Sequence, residues 1–208
     1  MAKLFLVRHG LSEWNKLGNW TGQTDVDLAE EGVQEARETG LLLKNEKIDT
    51  VYTSELKRTH QTLQAIKEGA EKLDLTHTAN KALSERHYGI HTGKNKWQVK
   101  EEIGEEAFQA IRRGWDTKIE GGETLKDVHT RVVPYYEENI KKDLKDGKNV
   151  LVVAHGNTLR ALIKHLENIE EEKVSEVEVA TDELHIYQMD DNGNYISKEV
   201  KDGKGRKV

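Results

Sequence analysis

The chain contains no cysteine. That excludes disulfides, thiolate zinc sites, iron–sulfur clusters and a cysteine nucleophile together, and it fits a reducing compartment. Proline occurs once, at Pro134, so no Pro-rich linker divides the chain. No apolar run approaches the ~18 residues of a membrane span, and the opening Leu4-Phe5-Leu6-Val7 is too short for the apolar part of a signal peptide. Basic residues are not in excess: 32 Lys+Arg against 38 Asp+Glu leave a formal charge of −6. That argues against a generic nucleic-acid binder and still allows one locally cationic cleft. Repeats and low-complexity tracts are missing too. Hydrophobic residues are scarce at 35%, yet they recur periodically, so disorder is rejected. With 208 residues the chain is expected to form one domain, 1–208, burying roughly 70% of its unfolded surface. A loose polar tail is expected at 201–208. The expected setting is the cytoplasm, with no membrane or nucleic-acid partner, as a monomer or small homo-oligomer.

What is present alternates between strands and helices. Residues 3–7 read as a buried strand that ends at Arg8-His9-Gly10, followed by an irregular stretch over 11–29. A helix follows over 30–44, with Val33, Ala36, Gly40 and Leu43 on one stripe and Ala29 as a poor N-cap. Residues 49–53 read as a second strand. Ser54 then fits the N-cap of a helix over 56–73, and a weak strand is expected near 75–79. Residues 95–114 read as helical with a break at Gly104. Thr124 with Asp127 forms a capping-box pattern that opens a long helix to about Lys145, kinked at Pro134. Residues 149–154 are the clearest buried strand, and His155-Gly156-Asn157 leads from it into a helix through Leu166. Residues 170–178 read as an acidic, solvated helical patch. A strand pair over 184–189 and 195–200 closes the pattern around the turn residues Asp191-Asn192-Gly193-Asn194. The predicted class is α/β: a three-layer sandwich, mostly parallel in its central sheet, with helices on both faces.

Ligands of such sheets bind at the carboxyl ends of the strands. Arg8-His9-Gly10 stands at the end of the first strand, Thr53-Ser54 with Arg58 after the second, and His155-Gly156-Asn157 after the strand at 149–154. Two histidines and two arginines thus converge on one rim. A neutral imidazole can attack phosphorus directly, and guanidinium groups match the equatorial phosphoryl oxygens with paired donors that keep their charge. Helix N-termini add backbone donors. No metal-ligand spacing is visible, and this chemistry calls for no metal. A single histidine at a strand end is an ordinary structural feature; two, each followed by glycine and each ending an apolar strand, are not. His60, His77, His91, His129, His165 and His185 read as ordinary polar positions.

Arg8-His9-Gly10 followed by Ser12-Glu13-Trp14-Asn15 resembles the opening signature of the histidine phosphatase superfamily. Further stretches are similar to the cofactor-dependent phosphoglycerate mutases within it. They are Thr21-Gly22, Asp25-Val26-Asp27-Leu28 with Gly32, Tyr52 through Arg58, Glu85-Arg86-His87-Tyr88-Gly89 with Asn95-Lys96, Arg112-Arg113, Glu123 through Asp127, and Ala154 through Arg160. They cover essentially the whole chain in order. The resemblance implies a phosphoglycerate mutase-like fold and a phosphoryl group carried on His9 as nucleophile. Arg8, Arg58, Asn15 and His155 would hold that group, His155 donating to it in the transition state. Glu85 would be the general acid and base; a carboxyl suited to that work sits near pKa ~6–7, which burial favours and neighbouring arginines oppose. Ser12, Thr21, Gly22, Arg86, His87, Tyr88, Lys96, Arg112, Arg113, Gly156 and Asn157 would bind the rest of a small, multiply anionic substrate. The implied reaction is the interconversion of 3-phosphoglycerate and 2-phosphoglycerate in glycolysis and gluconeogenesis, primed by 2,3-bisphosphoglycerate and without a metal.

The chain also departs from the pattern. Leu11 replaces an acidic or amide residue at a position that does not react. Thr181-Asp182-Glu183-Leu184 stands where Gly-x-Pro commonly follows a threonine, which puts the local backbone in question. An insertion that longer members carry between the positions of Trp115 and Gly121 is missing. The rival reading is a phosphomonoesterase in which water takes the group from His9; the block Glu85 to Gly89 with Lys96, Arg112 and Arg113 separates the two, because simple hydrolysis does not need so many cations away from the reacting phosphate. A non-catalytic phosphoester-binding protein is the third class, and the presence of every reacting group speaks against it. The tail cations Lys201, Lys204, Arg206 and Lys207 are the expected closing element over the substrate.

Overall fold

The computed structural model describes residues 1–203. Six strands form one sheet: β1 (Ala2–Arg8), β2 (Thr50–Thr53), β3 (Thr78–Ala79), β4 (Val150–Ala154), β5 (Glu183–Met189) and β6 (Tyr195–Asp202). Their order is β3-β2-β4-β1-β5-β6. The β2–β3, β2–β4 and β1–β4 pairings are parallel, and β5 runs antiparallel to both β1 and β6. The helices are α1 (Glu13–Lys16), α2 (Glu30–Leu42), α3 (Lys57–Ala70), α4 (Lys96–Ile103), α5 (Glu105–Arg113), α6 (Leu125–Tyr135), α7 (Lys141–Lys145) and α8 (Gly156–Leu166). Among the described residues no helix is long and apolar enough to cross a membrane.

Side chains alternate across a strand, and the continuous apolar runs of β1 and β4 therefore feed two cores. Leu4, Leu6, Val150, Val152 and Ala154 face α6 and α8, where Val128, Val132, Leu159 and Leu162 complete one cluster. Phe5, Val7, Leu151 and Val153 face α2 and α3, with Ala36, Leu43, Leu63 and Ile66. This is the expected three-layer α/β arrangement. A third, smaller cluster of Trp20, Tyr88, Val99, Phe108 and Ile119 lies apart from both, under α4 and α5.

Several local expectations hold for the reasons given. Ala29 caps α2 without a side-chain hydrogen bond. Gly104, at φ +83, separates α4 from α5. Both halves of the Thr124–Asp127 capping box are present. Past Pro134 the long helix widens into a π-helical stretch, Tyr136–Ile140, before α7; the proline ring removes an N–H and crowds the preceding turn.

Other expectations are corrected. Ser54 does not cap α3: that helix starts at Lys57 with Leu56 at its N-cap and no side-chain cap, and it ends at Ala70 rather than 73. The weak strand at 75–79 shrinks to Thr78–Ala79. The acidic patch is a 3-10 stretch, Glu171–Glu176, anchored by buried Val174. Lys201 and Asp202, placed by sequence in a loose tail, complete β6, where Asp202 is buried. The expected tail cations Lys204, Arg206 and Lys207 lie outside the described residues. His91 and His185, read as ordinary polar positions, are buried.

Candidate active site

The registers β1–β4 and β2–β4 place Val7 and Thr53 on either side of Val153, and Arg8 beside Ala154. His9, His155 and Ser54 therefore leave the sheet as neighbours. The His9 amide donates to the Ala154 carbonyl at 2.9 Å, which ties the two strand ends together. The turn after His9 is possible because two glycines meet there: a Cβ on Gly10 would lie 2.2 Å from the Gly32 carbonyl oxygen. The His9 and His155 rings approach edge to face, with centroids 5.0 Å apart and planes at 62°.

His9 is 2% exposed. Its Nδ1 lies 2.8 Å from the Gly10 carbonyl oxygen. A carbonyl only accepts, so Nδ1 holds the proton and Nε2 keeps its lone pair. Burial, then Arg58 and Arg8, push the His9 pKa well below the usual imidazole range, against the Gly10 hydrogen bond. The ring is thus neutral at pH 7. His155 is depressed in the same sense by burial, Arg58, His9 and Arg8.

The cations around the pair are fixed from behind. Arg58, fully buried, donates from its two terminal nitrogens to the Thr24 and Gly22 carbonyls at 2.8 and 2.7 Å. Burial pulls its pKa down to about 10, so it stays charged. Arg8 donates to the Val179 carbonyl at 3.0 Å. Arg8 Nε, Arg58 Nε, Thr21 Oγ1 and His155 Nδ1 are buried without a partner among the described residues. Buried polar atoms are normally satisfied; Arg8, Arg58 and Thr21 line the same cavity as His9, and the His155 ring meets the His9 ring.

Glu85 Oε1 accepts from the Arg86 and Asn157 amides at 2.8 and 3.2 Å. The Asn157 side chain donates to the Tyr88 hydroxyl at 2.7 Å. Tyr88 is pushed up to about 12, mainly by burial, and remains a phenol with a proton to give. Lys96, pulled down to about 8 by burial and then by Arg8 and Arg112, sits 5.8 Å from the Trp20 ring centre.

These groups share one cavity of about 360 Å³, lined among others by Arg8, His9, Asn15, Thr21, Gly22, Arg58, Glu85, Tyr88, Lys96, Arg112, Arg113, Gly156 and Asn157. Four residues expected at the site do not line it. His155 is fully buried beside the His9 ring, with Ser54 Oγ at 2.8 Å from its Nε2. Ser12 caps α1 and donates to the Asn15 side-chain oxygen at 2.8 Å, orienting that amide. Arg86 is fully buried and gives its guanidinium to the carbonyls of Glu123, Ile111 and Thr117. The His87 ring accepts from the Gly89 amide at 3.0 Å.

Sequence reasoning missed Trp20, Arg160 and the stretch 177–180 with Glu183, all of which line the cavity. Arg160 stands three residues after Asn157 on α8, a spacing that shares one face. It donates to the Val177, Arg113 and Val174 carbonyls and to the Asn157 side chain. In the unusual Thr181-Asp182-Glu183-Leu184 segment Thr181 and Asp182 form a turn and Glu183 and Leu184 open β5; the Glu183 carboxylate accepts from the Ala180 amide and pairs with His185, each at 3.0 Å. Among the described residues no cluster of three or more His, Asp or Glu is placed to hold a metal.

The family described as Histidine phosphatase superfamily (branch 1) matches residues 4–201. A protein of Latilactobacillus sakei subsp. sakei named 2,3-bisphosphoglycerate-dependent phosphoglycerate mutase 2 is 42% identical, over 95% of this chain and 98% of its own length. A Cytophaga hutchinsonii protein named 2,3-bisphosphoglycerate-dependent phosphoglycerate mutase is 44% identical over 90% and 88%. Among solved structures, Bacillus stearothermophilus YhfR superposes with a TM-score of 0.82 at 24% identity, covering 94% of this chain and 95% of that one; this likeness shows the fold.

Proposed function

The chain belongs to the histidine phosphatase superfamily, and from that premise we propose that it is a 2,3-bisphosphoglycerate-dependent phosphoglycerate mutase. It interconverts 3-phosphoglycerate and 2-phosphoglycerate through phosphohistidine at His9, as a cytoplasmic enzyme of glycolysis and gluconeogenesis. The observation that carries this reading is the neutral His9 ring, its Nε2 free, among the buried polar atoms Arg8 Nε, Arg58 Nε, Thr21 Oγ1 and His155 Nδ1, which have no partner among the described residues.

Nε2 of His9 attacks phosphorus, the P–O bond to the substrate breaks, and its electron pair stays on the leaving oxygen. Glu85 gives that oxygen a proton. In the return step Glu85, now a carboxylate, takes the proton of the attacking hydroxyl, and the P–N bond's pair returns to Nε2. Arg8, Arg58, Asn15 and His155 carry the phosphoryl oxygens, whose charge needs preset donors more than covalent help. Lys96, Arg112, Arg113 and Tyr88 hold the second anionic end, with Thr21, Gly22, Gly156 and Asn157 between. 2,3-Bisphosphoglycerate supplies the priming phosphoryl group, and a cavity with cations at two places fits a small bisphosphorylated acid. Arg86, His87 and Ser12 act behind this surface.

The test supplies purified protein with 3-phosphoglycerate, with and without catalytic 2,3-bisphosphoglycerate, and measures 2-phosphoglycerate and free phosphate together. Primer-dependent 2-phosphoglycerate in large excess over free phosphate supports the mutase. Phosphate release without 2-phosphoglycerate would make the protein a phosphomonoesterase.

A further inference from the structure

Ser54 and His155 are both fully buried, and Ser54 Oγ lies 2.8 Å from His155 Nε2. We propose that Ser54 is a positioning residue: its hydroxyl donates to Nε2 and so fixes His155 as the Nδ1–H tautomer, aiming an N–H bond at the phosphoryl group on His9. The inference rests on the phosphohistidine reading of the site and adds a residue to it.

A hydroxyl has one proton and two lone pairs. Ser54 Oγ accepts from the Leu56 amide at 3.2 Å and lies 3.0 Å from Thr59 Oγ1. If Thr59 donates to Ser54, both lone pairs are filled and the Ser54 proton has Nε2 as its partner. Nδ1 then carries the ring proton. The opposite wiring is also complete: Nε2–H donates to Ser54, Ser54 to Thr59, and Thr59 to the Leu56 carbonyl at 2.8 Å. That wiring leaves Nδ1 as a bare lone pair. Nδ1 is buried and has no partner among the described residues, so it is the ring nitrogen left for the group on His9. Facing a phosphoryl oxygen, a lone pair is repelled and an N–H is bound, which selects the first wiring. Burial and the nearby Arg58 oppose a second proton on the ring, so the donor has to come from the tautomer. Ser54 owes its place to the strand register, which pairs Thr53 with Val153 at the ends of β2 and β4 so that Ser54 follows directly after, and not to a helix cap.

The direct test is the ring ¹⁵N spectrum of His155 in the full chain, with orthovanadate as the phosphoryl mimic and the signal identified by its loss in His155→Asn. The expected result is protonated Nδ1 and unprotonated Nε2; an Nε2–H tautomer or a doubly protonated ring overturns the proposal. In turnover, Ser54→Ala is expected to lower kcat about tenfold, the scale of one lost hydrogen bond, with KM for 3-phosphoglycerate nearly unchanged, while Ser54→Thr, which keeps the hydroxyl, retains most of kcat. A Ser54→Ala enzyme that is folded and has normal kcat also overturns it. The spectrum needs only the mimic: a wild-type chain that makes no 2-phosphoglycerate would count against the mutase reading and leave the tautomer result to stand by itself.

Discussion

Arg58 is the group whose removal separates charge from geometry at this site. Its guanidinium holds the Gly22 and Thr24 carbonyls, leaves Nε unpaired, and ranks after burial among the causes that keep His9 neutral. Arg58→Met deletes all three contributions, whereas Arg58→Lys keeps a cation without the fork that bridges two carbonyls. One lost charge-assisted contact to the transferring group is worth about 1.5–3 kcal/mol, or roughly 10- to 150-fold in rate. The two carbonyls left without donors cost about 1 kcal/mol or more each, partly offset because methionine buries no charge. Removing a nearby cation makes protonation easier, so the His9 midpoint rises in Arg58→Met and remains below the usual range because burial persists. Only the neutral ring attacks phosphorus, so the acid limit for phosphoenzyme formation moves to higher pH. An NMR titration of the His9 ring, paired with rapid-quench phosphorylation rates across pH, measures both effects. Arg58→Lys should titrate close to wild type and still phosphorylate slowly. An Arg58→Met protein whose His9 midpoint is unchanged or lower would refute the electrostatic account.

Glu85→Gln is expected to slow transfer to the hydroxyl by ~10²-fold or more, the scale of a lost general acid or base, with phosphate binding nearly unchanged; steady-state rates beside a phosphate-binding titration check this. Arg112→Ala with Arg113→Ala should raise KM for 3-phosphoglycerate much more than for a small neutral-tailed phosphomonoester, by about 1.5–3 kcal/mol per lost contact; equal losses would make the pair structural. Stability should depend on pH through His9 and His155. Both have folded pKa values below the unfolded value of about 6.5, so below that pH the unfolded chain binds more protons and stability falls as pH falls, by up to ~1.4 kcal/mol per ring per pH unit. Urea unfolding at two pH values either side of that midpoint reads the slope, and His9→Ala should reduce it.

Much of the site was legible because its residues sit at strand ends, where a buried apolar run announces the strand and the next residue must leave the sheet. His9, His155 and Arg58 were found in that way, and Glu85, Lys96 and Tyr88 by resemblance. What stayed hidden depends on where a side chain turns after the backbone is placed. Arg86 reads as one more substrate cation, yet three carbonyls brought together by α5 and the 115–124 stretch capture it. Ser54 carries a strong capping signature, but the chain runs on to Leu56 before the helix starts, and strand register delivers the hydroxyl to His155 instead. The final strand was expected to end at 200. Pairing with β5 carries it to Asp202, opposite Glu183, and no local propensity encodes that partner.

The central claim is that His9 holds the phosphoryl group and passes it to phosphoglycerate in preference to water. The most direct measurement mixes the protein with 2,3-bisphosphoglycerate, quenches, and follows the acid-labile phosphoenzyme by intact mass and peptide mapping as 3-phosphoglycerate is added. The account predicts one phosphoryl group on His9, none in His9→Ala, and discharge by 3-phosphoglycerate far faster than spontaneous loss to water, with the group recovered on phosphoglycerate. A phosphoryl group on another residue, or discharge at the same rate with and without 3-phosphoglycerate, would contradict it.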